Sequence, residues 1–401
     1  MRTRRARGLE CPRLMHGSLR TTIVAIVSFA LGAGAHRAWQ QYRTPAAVSA
    51  APAAVTPAID FAAEPLWAYG FTTVRKDGEQ AAPQNPPSRR LRPNEDEQEQ
   101  TRLRTVAGSK ASYSLVDVRD SSNVIDWFPE DHPSPLPEII RHGPASLGDK
   151  RWGCGSCHLP NGMGRPENAP TAGLPVTYIL RQLQDFRNGL RRTADPRKPN
   201  TNTMIALAKA MSEQEMRDAA EYLSRIPYPA RTLVVETDLV PTTRIVGNLF
   251  LPTSAALTEP IAGRLIEVPS DEEQTERLRN PRVGFIAYVP PGTLARGKDL
   301  VTTGGIREVG NQIVQGPTQA CVTCHGLDLM GVAEVPPIAG RSPSYITRQM
   351  WDIQQGTRNG EAVQLMKLAI ARLTPGDLLA VAAYVASQPA TRTEPPPEPT
   401  H

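Results

Sequence analysis

Cys154-Gly155-Ser156-Cys157-His158 recurs 167 residues later as Cys321-Val322-Thr323-Cys324-His325. Each cysteine of such a pentapeptide can add to a vinyl group of protoporphyrin, and the adjacent histidine then lies under the iron, so C-x-x-C-H reads as a c-type haem attachment site. The chain has five cysteines, and the fifth, Cys11, lies in an N-terminal leader. The exported part therefore keeps no cysteine outside the two motifs. Zinc is a poorer fit, because four clustered nitrogen or sulfur ligands are needed and each motif offers three. A thioredoxin-like dithiol needs a βαβ setting that the flanking sequence does not offer. Structural disulfides leave the trailing histidine without a role.

The 401 residues have room for two or three domains. The balance of 45 basic and 40 acidic residues suggests a basic protein, yet residues 1–35 hold six arginines and one acid, leaving 39 of each sign beyond. That removes the main support for nucleic-acid binding. With 39 prolines and 5% aromatic residues, loops are many and aromatic core material is scarce. Two haems would fill that role.

Thr21–Ala35 is uncharged and apolar behind an Arg-rich start. Positive charge before such a run orients it with its amino end in the cytoplasm and exports the chain beyond it. Residues 1–42 are read as a signal anchor, a single N-terminal membrane span, or as a signal peptide cut after Ala35. Residues 43–132 are read as an Ala/Pro-rich linker and a loop-rich N-terminal region. Within it Glu64–Phe71 carries three aromatics that predict docking on a folded surface, and Ala81–Gln100 reads as a solvated loop. Leu136–Gly143 predicts one short helix, with Pro137 at its start and Gly143 beyond its end.

The two halves then repeat. At the offset of 167, Ala172-Gly173 falls on Ala339-Gly340, Tyr178 to Gln182 on Tyr345 to Gln349, Asp185 on Asp352 and Arg191 on Arg358. Ile179, Leu183, Phe186 and Leu190 recur at helical spacing, as do Ile346, Met350 and Ile353. Further on the offset is 162, pairing Met204 with Met366 and Tyr222 with Tyr384. Ser212 with Glu215 predicts a capping box, and Thr374-Pro375-Gly376-Asp377 predicts the matching helix start. Between the copies, Leu233–Glu236, Arg244–Leu251, Gly263–Val268 and Val283–Val289 predict three or four short strands, followed by a helix at Thr293–Val301.

His158 and His325 are the candidate proximal ligands. For the sixth position Met204 and Met366 are chosen, because each stands 18 residues before its paired tyrosine. Two methionines at matching places in two haem repeats point to ligation, whereas one alone would read as core filler. Met163 and Met330 follow the histidine too closely to cross the ring, and Met211 is matched by Leu373. His132 and His142 lack counterparts; a bis-histidine first haem is the alternative they leave. Arg181 and Arg348 are candidate partners of haem carboxylates, against a solvated helix face. Pro170 and Pro337 are read as setting the loop whose carbonyl orients the proximal imidazole.

Cys-x-x-Cys-His, then Pro and Ala-Gly before a Tyr-bearing helix, then Met ahead of a capped helix, resembles a class I cytochrome c domain, and two in tandem resemble cytochrome c4 and related dihaem cytochromes. The resemblance covers residues 137–226 and 293–388. It implies a mainly α fold of two tandem class I cytochrome c domains, 133–230 and 293–390, while the residues between and beyond them read as a strand-rich connecting segment at 231–292 and a disordered tail from 391 to 401. It implies two covalently bound haem c groups, held at Cys154, Cys157, Cys321 and Cys324, with His158/Met204 and His325/Met366 on iron. The function it implies is one-electron carriage in the periplasm; the apolar run at 21–35 adds a tether to the inner membrane, or a soluble protein after cleavage, and the expected partners are a dehydrogenase as donor and an oxidase or reductase as acceptor. A dihaem peroxidase with one open haem, and a cytochrome subunit of a membrane-bound dehydrogenase complex, are the alternatives. The strand-rich insert departs from the family pattern.

Overall fold

A computed structural model of the protein describes residues 63–76, 79, 95–254 and 256–390. All lie within one compact unit, Pro57–His401. The leader, the Ala/Pro linker up to residue 62, most of the 81–100 stretch and the tail from residue 391 lie outside the described residues. Among the described residues no single helix is long and apolar enough to cross a membrane.

Among the described residues seven longer helices carry the fold. Three come after the first pentapeptide: α1 (Val176–Arg187), α2 (Pro199–Ala210) and α3 (Glu213–Ser224). Four belong to the second half: α4 (Thr293–Thr303), α5 (Pro343–Gln354), α6 (Gln364–Ile370) and α7 (Pro375–Ala386). Each half closes on its own apolar core. The first is built from Ile139, Ile140, Ile179, Leu183, Phe186, Met216, Tyr222 and Leu223, the second from Leu300, Ile346, Met350, Ile353, Leu378 and Val381. The helix starts are where the sequence puts them: Ser212 with Glu215 and Thr374 with Asp377 both form complete capping boxes. The expected helix after Pro137 is a single turn, Glu138–Arg141.

Helix α4 crosses α7 so closely that only glycine fits at the contact. A Cβ built on Gly297 would lie 2.0 Å from the carbonyl oxygen of Ala380.

The segment between the halves holds more strands than expected: β1 (Thr232–Glu236), β2 (Leu239–Pro241), β3 (Thr243–Val246), β4 (Leu249–Pro252), β5 (Thr258–Pro260), β6 (Ile266–Pro269) and β7 (Phe285–Val289). The expected Arg244–Leu251 strand is a hairpin, because Gly247 and Asn248 both take positive φ and reverse the chain. Strand β7 pairs parallel with β1 and antiparallel with β6. A further hairpin, β8 (Arg307–Val309) with β9 (Gln312–Val314), was not anticipated. All six of its residues are exposed, so no alternating burial pattern marks it.

Trp67 and Tyr69 dock as expected. They are buried with Val240, Phe250, Leu265 and Val268 of the insert and with Leu379 and Ala383 of α7. A satellite core of Val106, Leu115, Val118, Trp127 and Phe128 closes on Leu278, with the Trp127 indole donating to the Leu278 carbonyl at 2.7 Å. The insert is thus packed against both halves and the N-terminal region.

Candidate functional site

Each pentapeptide ends in one helical turn, Gly155–His158 and Val322–His325. The two turns are held by the same bonds at the same offset. His158 Nδ1 lies 2.8 Å from the carbonyl oxygen of Ala169, and His325 Nδ1 lies 2.9 Å from that of Pro336. The carbonyl in each case belongs to the residue before Pro170 and Pro337, so the loop read from the paired prolines does engage the imidazole. Gly164 and Gly331 donate back to the carbonyls of His158 and His325, both at 2.8 Å. With Nδ1 tied to a carbonyl, Nε2 is left without a proton and free to bind a metal. Burial holds both imidazoles below the usual histidine range, which favours that neutral form.

The four motif cysteines are free thiols, available for thioether bonds to a porphyrin. Burial pushes the Cys154 thiol up to about 12 and the Cys321 thiol up to about 11. Among the described residues no cluster of three or more His, Cys, Asp or Glu could hold a bare metal ion.

A cavity of about 1320 Å³, counted with its open mouth, lies against the first turn. Cys154, Cys157 and His158 line it together with Met204, Leu207 and Met211, and Leu174, Ile179, Leu183 and Phe186 supply apolar walls. Met204 and Met211 therefore both face this space. Its polar lining includes Arg191, Lys198, Asn200 and, from the second half, Tyr345, Arg348 and Gln349. Lys198 Nζ and one oxygen of Asn200 are buried there without a hydrogen-bond partner. Thiols, an imidazole, two thioethers, apolar walls and unpaired polar groups around one cavity are a donor set that fits a haem c with its two carboxylates. In the second half Cys321, Met330 and Met366 are partly buried against the core, while Cys324 is exposed.

The first turn is also gripped from the insert. Arg279, at positive φ and partly buried, donates to the Ser156 carbonyl, while desolvation depresses its guanidinium to about 10. Arg165 pairs with Glu167 at 2.6 Å and with Glu276 of the insert at 3.3 Å. No equivalent of these arms is present at the second turn among the described residues.

The two arginines singled out from the sequence are not gathered together. Arg181 is half exposed and pairs with Glu334 of the other half at 2.5 Å. Arg348 is buried, lines the first cavity from the second half, and donates to the carbonyls of Ala68 and Pro166.

Between the halves lies a set of residues whose repetition is plain in the sequence but whose work is not. Arg191 donates to Gln182 at 2.9 Å, to Gln349 at 2.7 Å and to Tyr345 at 3.2 Å. Its counterpart Arg358 donates to Gln349 at 3.2 Å, to Gln182 at 2.9 Å and to Tyr178 at 2.9 Å. The two backbones meet in an antiparallel bridge at these same arginines. The signal available was identical polar residues repeated on helices whose repetition should otherwise have been apolar.

Residues 145–227 match the Cytochrome c family. A cytochrome c-554(548) of Halomonas halodenitrificans is 35% identical over 69 residues, 17% of this chain and 83% of that one. A thiosulfate dehydrogenase electron acceptor of Thiomonas intermedia is 26% identical over 60% of this chain and 81% of its own. A cytochrome c4 of Pseudomonas aeruginosa is 21% identical over 58% of this chain and 82% of its own.

Proposed function

This chain is a dihaem class I c-type cytochrome, and on that premise we propose that it carries single electrons between a dehydrogenase and a further redox protein outside the cytoplasm. The bound group supplies the chemistry, a one-electron exchange between ferrous and ferric iron. The chain supplies ligation, burial and spacing. We assign residues 133–230 and 293–390 as tandem cytochrome c domains, with 231–292 as the connecting segment. His158 with Met204 and His325 with Met366 would hold the two irons.

The observation that carries this reading is the pair of carbonyl-oriented imidazoles, 167 residues apart, each at the end of a C-x-x-C turn on its own apolar core. The donor is proposed as a dehydrogenase because relatives bear the name thiosulfate dehydrogenase electron acceptor. Export and N-terminal anchoring are proposed from the Arg-rich start and the apolar run at 21–35.

A methionine on the far face closes the iron to small ligands, which suits a carrier and not a peroxidase. The test is Met204→Ala and Met366→Ala in protein matured with haem. Each variant is expected to lose half of the far-red absorption that marks thioether bound to ferric iron, and to gain cyanide binding at one haem. Unmodified protein with a single haem equivalent, or with one high-spin haem that turns over peroxide, would sink the carrier reading.

A further inference from the structure

We propose that the Lys198 ammonium is the partner of a haem carboxylate at the first site, and that the second site has no such cation. The proposal rests on reading Cys154–His158 as a haem site and goes beyond it by assigning a residue for the porphyrin's acid groups.

Lys198 is 1% exposed, and its amine has no hydrogen-bond partner. It sits at the mouth of α2, where Pro199 opens the helix, and lines the same cavity as Cys154, Cys157, His158 and Met204. A lysine amine buried without a partner is costly, since the charged form loses its hydration and the neutral form still leaves donors unused. Three carboxylates are near enough to act on it, and none bonds to it. Glu167 pairs with Arg165 and keeps its other oxygen buried and unpartnered, Asp195 is held by three side-chain bonds from Arg197, and Asp352 accepts from Tyr69 and the Ala194 amide. Among the described residues Lys198 forms no ion pair with any of them.

Burial, and then the positive charge of Arg348, push this amine well below the usual lysine range. With no carboxylate of the chain bonded to it, an amine so placed is matched by an anion entering the cavity from outside, and a haem would bring two. Neighbouring Asn200, with an unpartnered side-chain oxygen, lines the same cavity.

The second half offers no equivalent. By the two spacings that relate the halves, Lys198 falls on Gly360 or on Leu365. The effect of removing it should therefore fall on one haem of the two. Taking away a cation leaves its carboxylate uncompensated near the iron, which favours the ferric form and lowers the potential.

The experiment uses the whole matured protein, unmodified and as Lys198→Met and Lys198→Arg. Haem content is counted, the two potentials are resolved by spectroelectrochemical titration, and the propionate bending bands are read by resonance Raman. Expected are two haems in all three proteins, a fall in one potential and a shift of one propionate band in Lys198→Met, and recovery of both toward the unmodified values in Lys198→Arg. If Lys198→Met fails to mature at the first site, Lys198→Gln takes its place, with the same fall in one potential and the same propionate band shift expected. Unchanged potentials and bands in both variants would overturn the proposal. So would an unmodified protein whose first haem lacks the thioether band and gains it in Lys198→Met, because the amine would then be on the iron. A haem count of one in unmodified protein would instead strike the reading on which the proposal rests.

Discussion

Arg358 donates to the phenol oxygen of Tyr178 at 2.9 Å across the boundary between the two halves, and Arg191 returns the contact to Tyr345 at 3.2 Å. Both guanidiniums are buried, and their side-chain acceptors are the neutral Gln182, Gln349, Tyr178 and Tyr345. Hydrogen bonds from a charged donor contribute about 1.5–3 kcal/mol each to the difference on truncation. Arg358→Gln is expected to lower stability by about 2 kcal/mol in urea unfolding monitored by haem absorbance. Because the two arginines share both glutamines, the Arg191→Gln, Arg358→Gln double variant should lose less than the two single losses added together. Strict additivity would mean that they do not act as one clasp.

At the start of α7, Asp377 both closes the capping box with Thr374 and pairs with Arg296 of α4 at 2.8 Å. Burial alone would raise its carboxyl, but the bonds from Thr374 and Arg296 outweigh burial and hold it below the usual range. A carboxyl depressed on folding adds stability that is present above its unfolded pKa, about 3.9, and is lost as pH falls through the folded value. Asp377→Asn is expected to cost about 1–2 kcal/mol at pH 7. Its deficit relative to unmodified protein should shrink as pH falls below about 4. A deficit that stays constant down to pH 2.5 would show that the charge of Asp377 contributes nothing.

The second half allows a test of close packing. Gly297→Ala places a methyl carbon where the Ala380 carbonyl oxygen already lies, at 2.0 Å, so α4 and α7 must separate. Overpacking of this kind costs about 1–3 kcal/mol. The control is Gly376→Ala, whose Cβ would meet nothing closer than Thr374 Oγ1 at 3.9 Å. Gly297→Ala is expected to lower the urea midpoint clearly while Gly376→Ala leaves it within experimental scatter or raises it slightly. Equal midpoints for the two would mean that the crossing relaxes freely.

What the sequence displayed and what it hid divide along a physical line. The helix starts at Ser212 and Thr374 were legible because capping is local chemistry written within four residues. The pentapeptides, and the prolines beside the carbonyls that hold His158 and His325, were legible because the duplication wrote them twice. Trp67 and Tyr69 announced docking by density of aromatics in a polar stretch, but not where they would dock. Arg348 could not be placed from its repeat partner. Arg181 faces solvent and Glu334, while Arg348 is covered by the Ala68 strap that only one half carries, so equal positions in the repeat have unequal surroundings. Lys198 was invisible for a related reason: it falls where the two spacings change over, and a lysine before a proline-led helix reads as surface until a cavity is seen beside it.

The same strap yields the last prediction. Tyr69 is fully buried and donates to Asp352 Oδ1 at 2.7 Å, and that oxygen also accepts the Ala194 amide at 2.7 Å. One carboxylate thus joins the N-terminal strap, a loop of the first half and helix α5 of the second. Burial holds the Asp352 carboxyl above the usual aspartate range, the bonds from Tyr69 and Ala194 opposing that rise only in part. A carboxyl raised on folding binds its proton more tightly in the folded protein, so its ionisation costs stability as pH rises from the unfolded pKa of about 3.9 through the folded value. Tyr69→Phe removes a donor that stabilises the ionised form and leaves the ring packing in place. Its penalty should therefore be small near pH 4, grow as pH rises, and level off at about 1–3 kcal/mol once Asp352 is ionised in the folded variant. Urea midpoints of Tyr69→Phe and unmodified protein, compared at half-unit steps from pH 4 to pH 8, would show this. A penalty of the same size at both ends of that range would mean that the Tyr69 hydroxyl does not serve the charge on Asp352.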